Sequence, residues 1–354
     1  MPKKLKSILQ IVIFLGIGLF LIWLITKDLT DKEKEDIKTA LRNAHYWLVI
    51  PAMIIGIASH WARAVRWKLL IKPLGYSPST LNTFFAVMVG YLANLAVPRL
   101  GEVSRCGILA RYEKIPADKL VGTMIAERAV DLICLILLMV VTVLVQIDVV
   151  GGFFNTHIWE PLQQKFANAG TGQLGILAVV LIIVLLIGYF LFKRFARSKA
   201  AIAMRTLARG VLEGILSIGK MERKGWFIFY SLLIWALYFS MLYCGFYTLD
   251  ETTHLGFKAA LAILGFGSIG MIVTQGGIGA YHALVQKTLL LYNIAPTTGL
   301  AFSWILWLAQ TLLVMVLGVL SLILLPVLNN RETKKAPATG PDPDLLKKIN
   351  QPNS

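Results

Sequence analysis

Arg99, Glu102 and Arg105 follow a nearly charge-free stretch of the chain, at intervals of three residues. Guanidinium groups bind phosphate through paired hydrogen bonds and stay charged, while a neighbouring carboxylate can hold their orientation or meet a cationic group. The three residues are therefore candidates for binding a ligand that carries phosphate. The alternative is an ion network that only holds this segment to its neighbours.

A second charged set consists of Glu127, Arg128 and Asp131. The two acids are four residues apart and Arg128 precedes Asp131 by three, so a helix would bring the three side chains within reach of one another. Arg128 either completes a phosphate site with Arg99 or neutralises the two acids. The spacing leaves both interpretations open.

The composition indicates that this chemistry takes place in a membrane. Of 354 residues, 57% are hydrophobic and 15% are charged, and the mean hydropathy is +0.70. Such values are typical of an integral membrane protein. The net charge is +16, but the basic residues lie mostly between apolar runs. This placement favours membrane orientation and attraction to anionic lipids over nucleic-acid binding.

Eight apolar runs divide the chain, and all but the third and seventh can be simple spanning helices. The first follows the basic start MPKKLK without a small-residue cleavage site, so we expect an uncleaved anchor rather than a signal peptide. The runs occupy residues 8–26, 46–62, 81–97, 120–147, 173–192, 226–248, 257–292 and 298–328.

The third run, 81–97, is short and has basic connections on both sides. The four Lys and Arg residues in 63–72 and the five in 99–119 predict that both connections are cytoplasmic. Pro98 and Gly101 interrupt a helix. We therefore predict a re-entrant hairpin that enters the membrane from the cytoplasm, bends at residues 98–101 and returns to the cytoplasm. Irregular backbone and charges at that depth imply a wet cavity.

The seventh run, 257–292, follows a loop without Lys or Arg and is interrupted by TQGGIGAY at 274–281. Its arms of about 17 and 11 residues predict a second hairpin, entering from the opposite side. Each half of the chain then holds a broken hairpin between spanning helices. This arrangement favours inverted repeats with a substrate near the midplane, and two unrelated broken helices are the alternative.

Polar residues near the first hairpin have candidate roles of their own. Arg63 and Arg66 flank tryptophans near the end of an apolar run, which is typical of anchors whose charged heads reach the membrane interface. They can also guide headgroups. Asn94, one turn before Pro98, is predicted to hydrogen-bond backbone groups freed by the break.

Glycines mark the predicted second hairpin. Gly276, Gly277 and Gly279 either leave backbone N–H groups accessible to an anionic headgroup or allow helices to pack closely. His282 is predicted to be a hydrogen-bonded packing residue. The residues expected to pack against this hairpin are Trp304, Trp307 and Gln310.

Four motifs in sequence order resemble the membrane-embedded, flippase-like family of lysylphosphatidylglycerol synthases, over roughly residues 8–328. The motif pattern NxxxPxRxGExxR followed by ERxxD is the most specific part of the resemblance. The motifs are RAVRWKLLIKPLGY at 63–76, VGYLANLAVPRLGEVSR at 89–105, AERAVDL at 126–132 and GGIGAYHAL at 276–284.

The resemblance implies a polytopic membrane fold with re-entrant segments that moves phospholipids, such as aminoacylated phosphatidylglycerol, between leaflets. Together with the apolar runs, it predicts an all-α polytopic membrane protein with about six spanning helices and two broken re-entrant hairpins of opposite sidedness. Its partners would be membrane phospholipids, anionic or aminoacylated. The aminoacyl-transfer domain of two-part members is not expected here, and neither enzyme activity, a cofactor nor a metal ion is predicted. The candidate substrate-binding residues are Arg63, Arg66, Asn94, Arg99, Glu102, Arg105, Glu127, Arg128, Asp131, Gly276, Gly277 and Gly279.

Two residues depart from the family pattern, which often has Pro before the glycines and an acid after them. Gln275 and His282 stand at these positions. Two other functions stay open: an intramembrane enzyme acting on a lipid phosphate or lipid-linked sugar, and a secondary transporter of a small solute. We expect a membrane domain at 1–328, a disordered tail at 329–354, and a bacterial inner (plasma) membrane location with both termini cytoplasmic.

Overall fold

The computed structural model describes residues 3–97, 100–146, 160 and 223–335, and side chains between residues 15 and 329 of these ranges. The described chain is helical. Its α-helices are α1 (Lys3–Thr26), α2 (Asp31–Asn43), α3 (Val49–Ile71), α4 (Thr80–Ala96), α5 (Leu100–Glu113), α6 (Ala117–Val145), α7 (Lys224–Gly245), α8 (Phe257–Val273), α9 (Ala280–Leu290) and α10 (Pro296–Lys335).

Four segments within the described residues are long and apolar enough to cross a membrane. They confirm the prediction of an all-α polytopic membrane protein. Many of their large apolar side chains are exposed on the outside of the bundle, where lipid would cover them. The segments are Tyr46–Leu74, Ala117–Val145, Lys224–Thr248 and Pro296–Asn329. The predicted run at 173–192 lies outside the described residues.

The first hairpin consists of α4 and α5, which pack against each other along their length. Its base lies beside the C-terminal part of α10, because Asn82 and Asn329 are hydrogen-bonded through their side-chain amides. Glu113 closes the base by accepting hydrogen bonds from the backbone N–H of Ser79 and from Asn82. The interruption between the two arms is shorter than predicted, because α5 already begins at Leu100 rather than after Gly101.

The second hairpin consists of α8 and α9, and its arms are 17 and 11 residues long, as predicted. Its base lies at the other end of α10. There Leu255 and Ile294, which flank the two arms, share a buried apolar cluster with Phe302 near the start of α10. The two hairpins therefore open toward opposite ends of the bundle.

The hairpin tips meet in the interior. The side-chain amide of Gln275 donates a hydrogen bond of 3.1 Å to the carbonyl oxygen of Leu95. Helix α1 passes beside the second tip, where Gly18 packs against Ile278 and Gly279. The contact between the tips thus separates the part of the bundle near the base of the first hairpin from the part near the base of the second.

Two helices extend beyond the boundaries that hydropathy predicts. Helix α3 continues to Ile71 and so includes Arg63 and Arg66, which the sequence places in a connection. Helix α10 continues to Lys335, past the predicted end of the membrane domain at residue 328. Apolar runs alone underestimate these helices because their last turns carry polar residues.

Candidate functional site

A buried ion cluster joins α3 to α6 inside the bundle. Arg63 on α3 places its Nη1 atom 3.0 Å from Oε1 of Glu127 and 2.7 Å from Oδ2 of Asp131, both on α6. Arg66, one turn further along α3, places Nη2 3.3 Å from Oε1 of Glu127 and 2.6 Å from Oδ1 of Asp131. Each acid thus faces two arginines of one helix.

Arg105 brings the first hairpin into the same cluster. Its Nη2 atom lies 3.0 Å from Oε2 of Glu127, and its guanidinium carbon lies 4.6 Å from the ring centre of Trp67. Gly90 of α4 lies directly against Arg105, where a Cβ atom would be 3.0 Å from the Cβ of the arginine. The hairpin packing therefore fixes the position of this guanidinium.

Helix α7 contributes two neutral hydrogen-bond partners. The hydroxyl of Tyr238 accepts a bond of 3.1 Å from Arg63, and the hydroxyl of Ser231 accepts one of 3.3 Å from Arg66. Sequence reasoning missed both residues. Their spacing of seven places them on one face of a mostly apolar helix, and this was the available signal.

The charges in the cluster do not balance. Three arginines (Arg63, Arg66 and Arg105) face two carboxylates (Glu127 and Asp131), which leaves one positive charge in excess among the described residues. The Nε atoms of all three arginines are buried and have no hydrogen-bond partner among the described residues. Buried guanidinium donors without partners are costly, and Oε2 of Glu127 likewise has no hydrogen-bond partner there. With one positive charge in excess, the cluster favours an added anion over an added cation.

The cluster lies well inside the bundle. Arg63 is about 12 Å along α3 from Ile71, and Glu127 is about 15 Å along α6 from Ala117, at ~1.5 Å of rise per residue. The Glu127 side chain is fully buried, whereas that of Asp131 is 16% exposed. Arg63 and Glu127 thus lie more than two helical turns inside segments that are long and apolar enough to cross a membrane.

Glu102 and Arg128 form a separate, more accessible pair. Their closest atoms, Arg128 Nη2 and Glu102 Oε1, are 3.6 Å apart, and their side chains are 40% and 24% exposed. The ion pair of Arg128 is with Glu102, whereas the ion-pair partners of Glu127 and Asp131 are arginines of α3 and α5. Arg128 leaves the cluster and faces the first turn of α5 instead.

The interpretation of Arg63 and Arg66 as interface anchors is also wrong. Arg63 is 5% exposed and Arg66 is fully buried. Their burial is possible because Glu127 and Asp131, more than sixty residues away in the sequence, supply opposite charge. The remaining arginine of the predicted site, Arg99, lies outside the described residues.

Asn94 has the role that the sequence predicts at the break of the first hairpin. Its side-chain oxygen accepts a hydrogen bond of 2.7 Å from the backbone N–H of Gly101. That N–H belongs to the first turn of α5, where it has no partner within the helix. A Cβ atom at Gly101 would overlap the carbonyl oxygen of Gly90, so the two arms approach through glycines.

Three glycines shape the tip of the second hairpin, with positive φ angles of 62° at Gly276, 77° at Gly277 and 78° at Gly279. Such angles favour residues without a Cβ atom. Gly277 donates its N–H to the carbonyl of Thr274, and the carbonyl of Gly276 accepts a hydrogen bond of 2.6 Å from Trp307. Close packing is observed at Gly277 against Met271 and at Gly279 against Gly18 of α1. An anion at this tip stays a prediction.

His282 packs as predicted. Its Nδ1 atom lies 3.0 Å from the hydroxyl of Ser303, and its ring stacks on Trp304 at 4.1 Å between centres. Ser303 and Trp304 lie on α10. Further along α10, the amide of Gln310 lies 3.3 Å from Nε2 of His60. Helix α10 therefore connects the second tip to α3, three residues before Arg63.

Known proteins supply the context for this site. The family model described as the lysylphosphatidylglycerol synthase TM region matches residues 7–318. The chain belongs to this family. The similarity extends to the UPF0104 membrane protein MJ1595 of Methanocaldococcus jannaschii, which is 35% identical over 94 residues, or 26% of this chain and 28% of that relative. No solved structure gives a significant match.

The family resemblance predicted from the motifs is thus confirmed, and the matched region includes the whole ion cluster. The match spans 28% of the length of the archaeal relative, whose name is that of a membrane protein. Among the described residues, no group of three His, Cys, Asp or Glu side chains is arranged to hold a metal ion. The arginine cluster is the main candidate site of this family member.

Proposed function

We propose that this chain is a lipid translocase that moves a phospholipid, or another lipid with a polar headgroup, between the leaflets of a bacterial inner membrane. The observation that carries the proposal is the buried excess of guanidinium donors around Arg105. A polar headgroup crosses hydrocarbon slowly because it must give up its water. A phosphate at the cluster would exchange water for charged hydrogen bonds.

The proposed path of the headgroup lies between the two hairpins. They open toward opposite ends of the bundle and meet through Gln275 and Leu95, so a headgroup between them would be near the middle of the membrane. We propose that both hairpins are re-entrant and that the acyl chains stay in lipid. Basic residues in 63–72 and 99–119 favour a cytoplasmic base for the first hairpin, and both chain termini would then be cytoplasmic.

The test is a transport assay with the purified full chain in phosphatidylcholine vesicles that contain a fluorescent phospholipid. Dithionite added outside destroys only the fluorophores that reach the outer leaflet, so movement appears as loss beyond about half of the signal. Arg105→Met keeps the apolar stem against Trp67 and removes the charge. Since hydrogen bonds to charged groups contribute about 1.5–3 kcal/mol, we expect transport to slow at least about tenfold.

Arg111→Met is the matched control, because Arg111 is an exposed arginine on the same helix. It should transport at the wild-type rate. Wild-type vesicles that behave like empty ones across a panel of headgroups would overturn the proposal. A chemically changed lipid, seen by mass spectrometry of the same vesicles, would instead support an intramembrane enzyme.

A further inference from the structure

Among the described residues, a single hydrogen bond crosses between the two hairpin tips. It joins the side-chain amide of Gln275 to the carbonyl oxygen of Leu95, and the side chain of Leu95 lies against Gly276. Gln275 is one of the two residues that depart from the family pattern, and a proline at its position would have no side-chain amide. The bond between the tips is thus a feature of this chain.

Helices α3 and α10 connect the same two tips from the side. On α3, the ring of His60 lies 5.1 Å from that of Tyr91, which belongs to the first hairpin. On α10, Trp307 donates a hydrogen bond to the backbone of the second tip, and Gln310, one turn later, lies 3.3 Å from His60. The two tips, α3 and α10 therefore form a closed ring of contacts, in which His60 and Gln310 join α3 to α10.

This ring buries polar atoms that solvent does not reach. They are His60 Nδ1, Gln310 Oε1, Gln275 Oε1 and, next to Gln275 in the chain, Thr274 Oγ1, and they have no hydrogen-bond partner among the described residues. The side chains of His60 and Thr274 are deeply enclosed, since the two residues are 2% and 3% exposed. Burial of one such atom costs at least as much as a neutral hydrogen bond contributes, so the closed arrangement of the tips carries a polar cost.

We infer that the tip contact is a gate whose closed state is destabilised by these buried, unpartnered polar atoms. Separation of the tips breaks one neutral hydrogen bond and the packing of Leu95, and it lets water bond Gln275, Thr274 and the pair formed by His60 and Gln310. His60 and Gln310 thus favour opening without touching the headgroup. The inference rests on the proposed translocase function only for its effect on transport.

Apolar replacements at His60 and Gln310 test the gate. His60→Phe keeps a ring beside Tyr91, and Gln310→Leu removes the unpartnered amide oxygen. Replacement of both members of a buried polar pair by apolar groups of similar shape is neutral or stabilising, whereas replacement of one member leaves the other without a partner. The double variant His60→Phe/Gln310→Leu should therefore favour the closed tips. Gln310→Leu alone should not, because it removes the neighbour of His60 Nε2.

Opening is measured by the reaction of a buried reporter thiol, Thr274→Cys, with a water-soluble maleimide, in a full chain without its native cysteines. The double variant should slow this reaction at least about fivefold, the factor that corresponds to ~1 kcal/mol, and Gln310→Leu alone should change it by less than about twofold. Ala96→Cys, exposed at the end of α4, is the control and should react at an unchanged rate. Equal or faster reaction of the reporter in the double variant would overturn the inference.

The vesicle assay distinguishes this failure from failure of the translocase proposal. The double variant should slow every lipid that the wild type moves by one common factor, because the tips and not the headgroup contacts are changed. Slower reaction of the reporter in a protein that moves no lipid would support the gate and overturn the translocase proposal. Lipid movement together with an unchanged reporter rate would overturn the gate alone.

Thr274→Val is the second variant if the double variant does not fold. It removes the unpartnered hydroxyl and keeps nearly the same shape, so it should also favour the closed tips. Its reporter is Leu95→Cys, since the side chain at this position lies against Gly276 between the tips. The reporter should react at least about twofold more slowly than in the chain that retains Thr274. An unchanged or faster reaction would overturn the inference.

Discussion

Gln275 and Leu95, 180 residues apart in the sequence, are joined by a hydrogen bond of 3.1 Å between the side-chain amide nitrogen of the first and the carbonyl oxygen of the second. This bond connects the tips of the two hairpins. Leu95 also packs on Gly276, where a Cβ atom would be 3.7 Å from its Cδ2. On the path proposed above, a headgroup that moves from one half of the bundle to the other passes this contact.

Linking the tips should therefore stop transport. In a variant without native cysteines, Leu95→Cys and Gln275→Cys joined by a short bis-thiosulfonate should reduce the dithionite-measured rate to that of empty vesicles. Reduction of the linker should restore it. Each single cysteine treated with the same reagent is the control, and a linked protein that transports at full rate would place the path elsewhere.

The sidedness of the hairpins can be measured by labelling single cysteines in intact cells or oriented vesicles. Lys72→Cys and Lys119→Cys flank the first hairpin, and Asp250→Cys lies near the base of the second. We expect a membrane-impermeant maleimide to reach the first two from the cytoplasm and the third from outside. Labelling of Lys72→Cys and Lys119→Cys from opposite sides would rule out a re-entrant first hairpin.

Removal of the central acid should destabilise the fold. Glu127→Gln leaves Arg63 and Arg66 facing Asp131 alone and removes the carboxylate that faces Arg105, and loss of one partner from a buried ion network costs about 3–5 kcal/mol. Thermal unfolding in detergent measures the effect. Asp118→Asn, at the exposed start of the same helix, should cost less than about 1 kcal/mol. Equal midpoints for the two variants would contradict the structural weight given to Glu127.

The second tip should tolerate no side chain at Gly279. Its φ is 78°, and an added Cβ atom would meet the backbone of Gly18 and the side chain of Leu21. Gly279→Ala should cost at least about 1–2 kcal/mol of stability from the left-handed backbone alone. Gly122→Ala, which meets nothing within 4 Å on α6, should be neutral or stabilising by up to about 1 kcal/mol. The difference in melting temperature between the two proteins tests this.

Local features predicted much of the scaffold. The arm lengths of the second hairpin follow from the apolar run and its glycines, and the bond from Gly101 to Asn94 follows from a break one turn away. These features depend on residues close together in the chain. Backbone geometry and helix propensity determine them without knowledge of the tertiary contacts.

The ion cluster depended on contacts that spacing does not contain. Arg66 looks like an interface anchor until Asp131, 65 residues later, is placed at 2.6 Å from it. Arg128 and Glu127 are neighbours in the sequence but point to different partners, because α6 presents successive side chains about 100° apart. Hydropathy ranks a residue by type, whereas burial of a charge depends on its partner.

The arginines of α3 also constrain how the protein is made. Arg63 and Arg66 leave the ribosome before Glu127 and Asp131 exist, so α3 would carry two uncompensated charges if it entered the membrane alone. We expect the insertion machinery to retain α3 until α6 arrives, and the two helices to pass into lipid as a pair. During co-translational assembly of this family member, α3 and α6 would then leave the translocon together rather than one after the other.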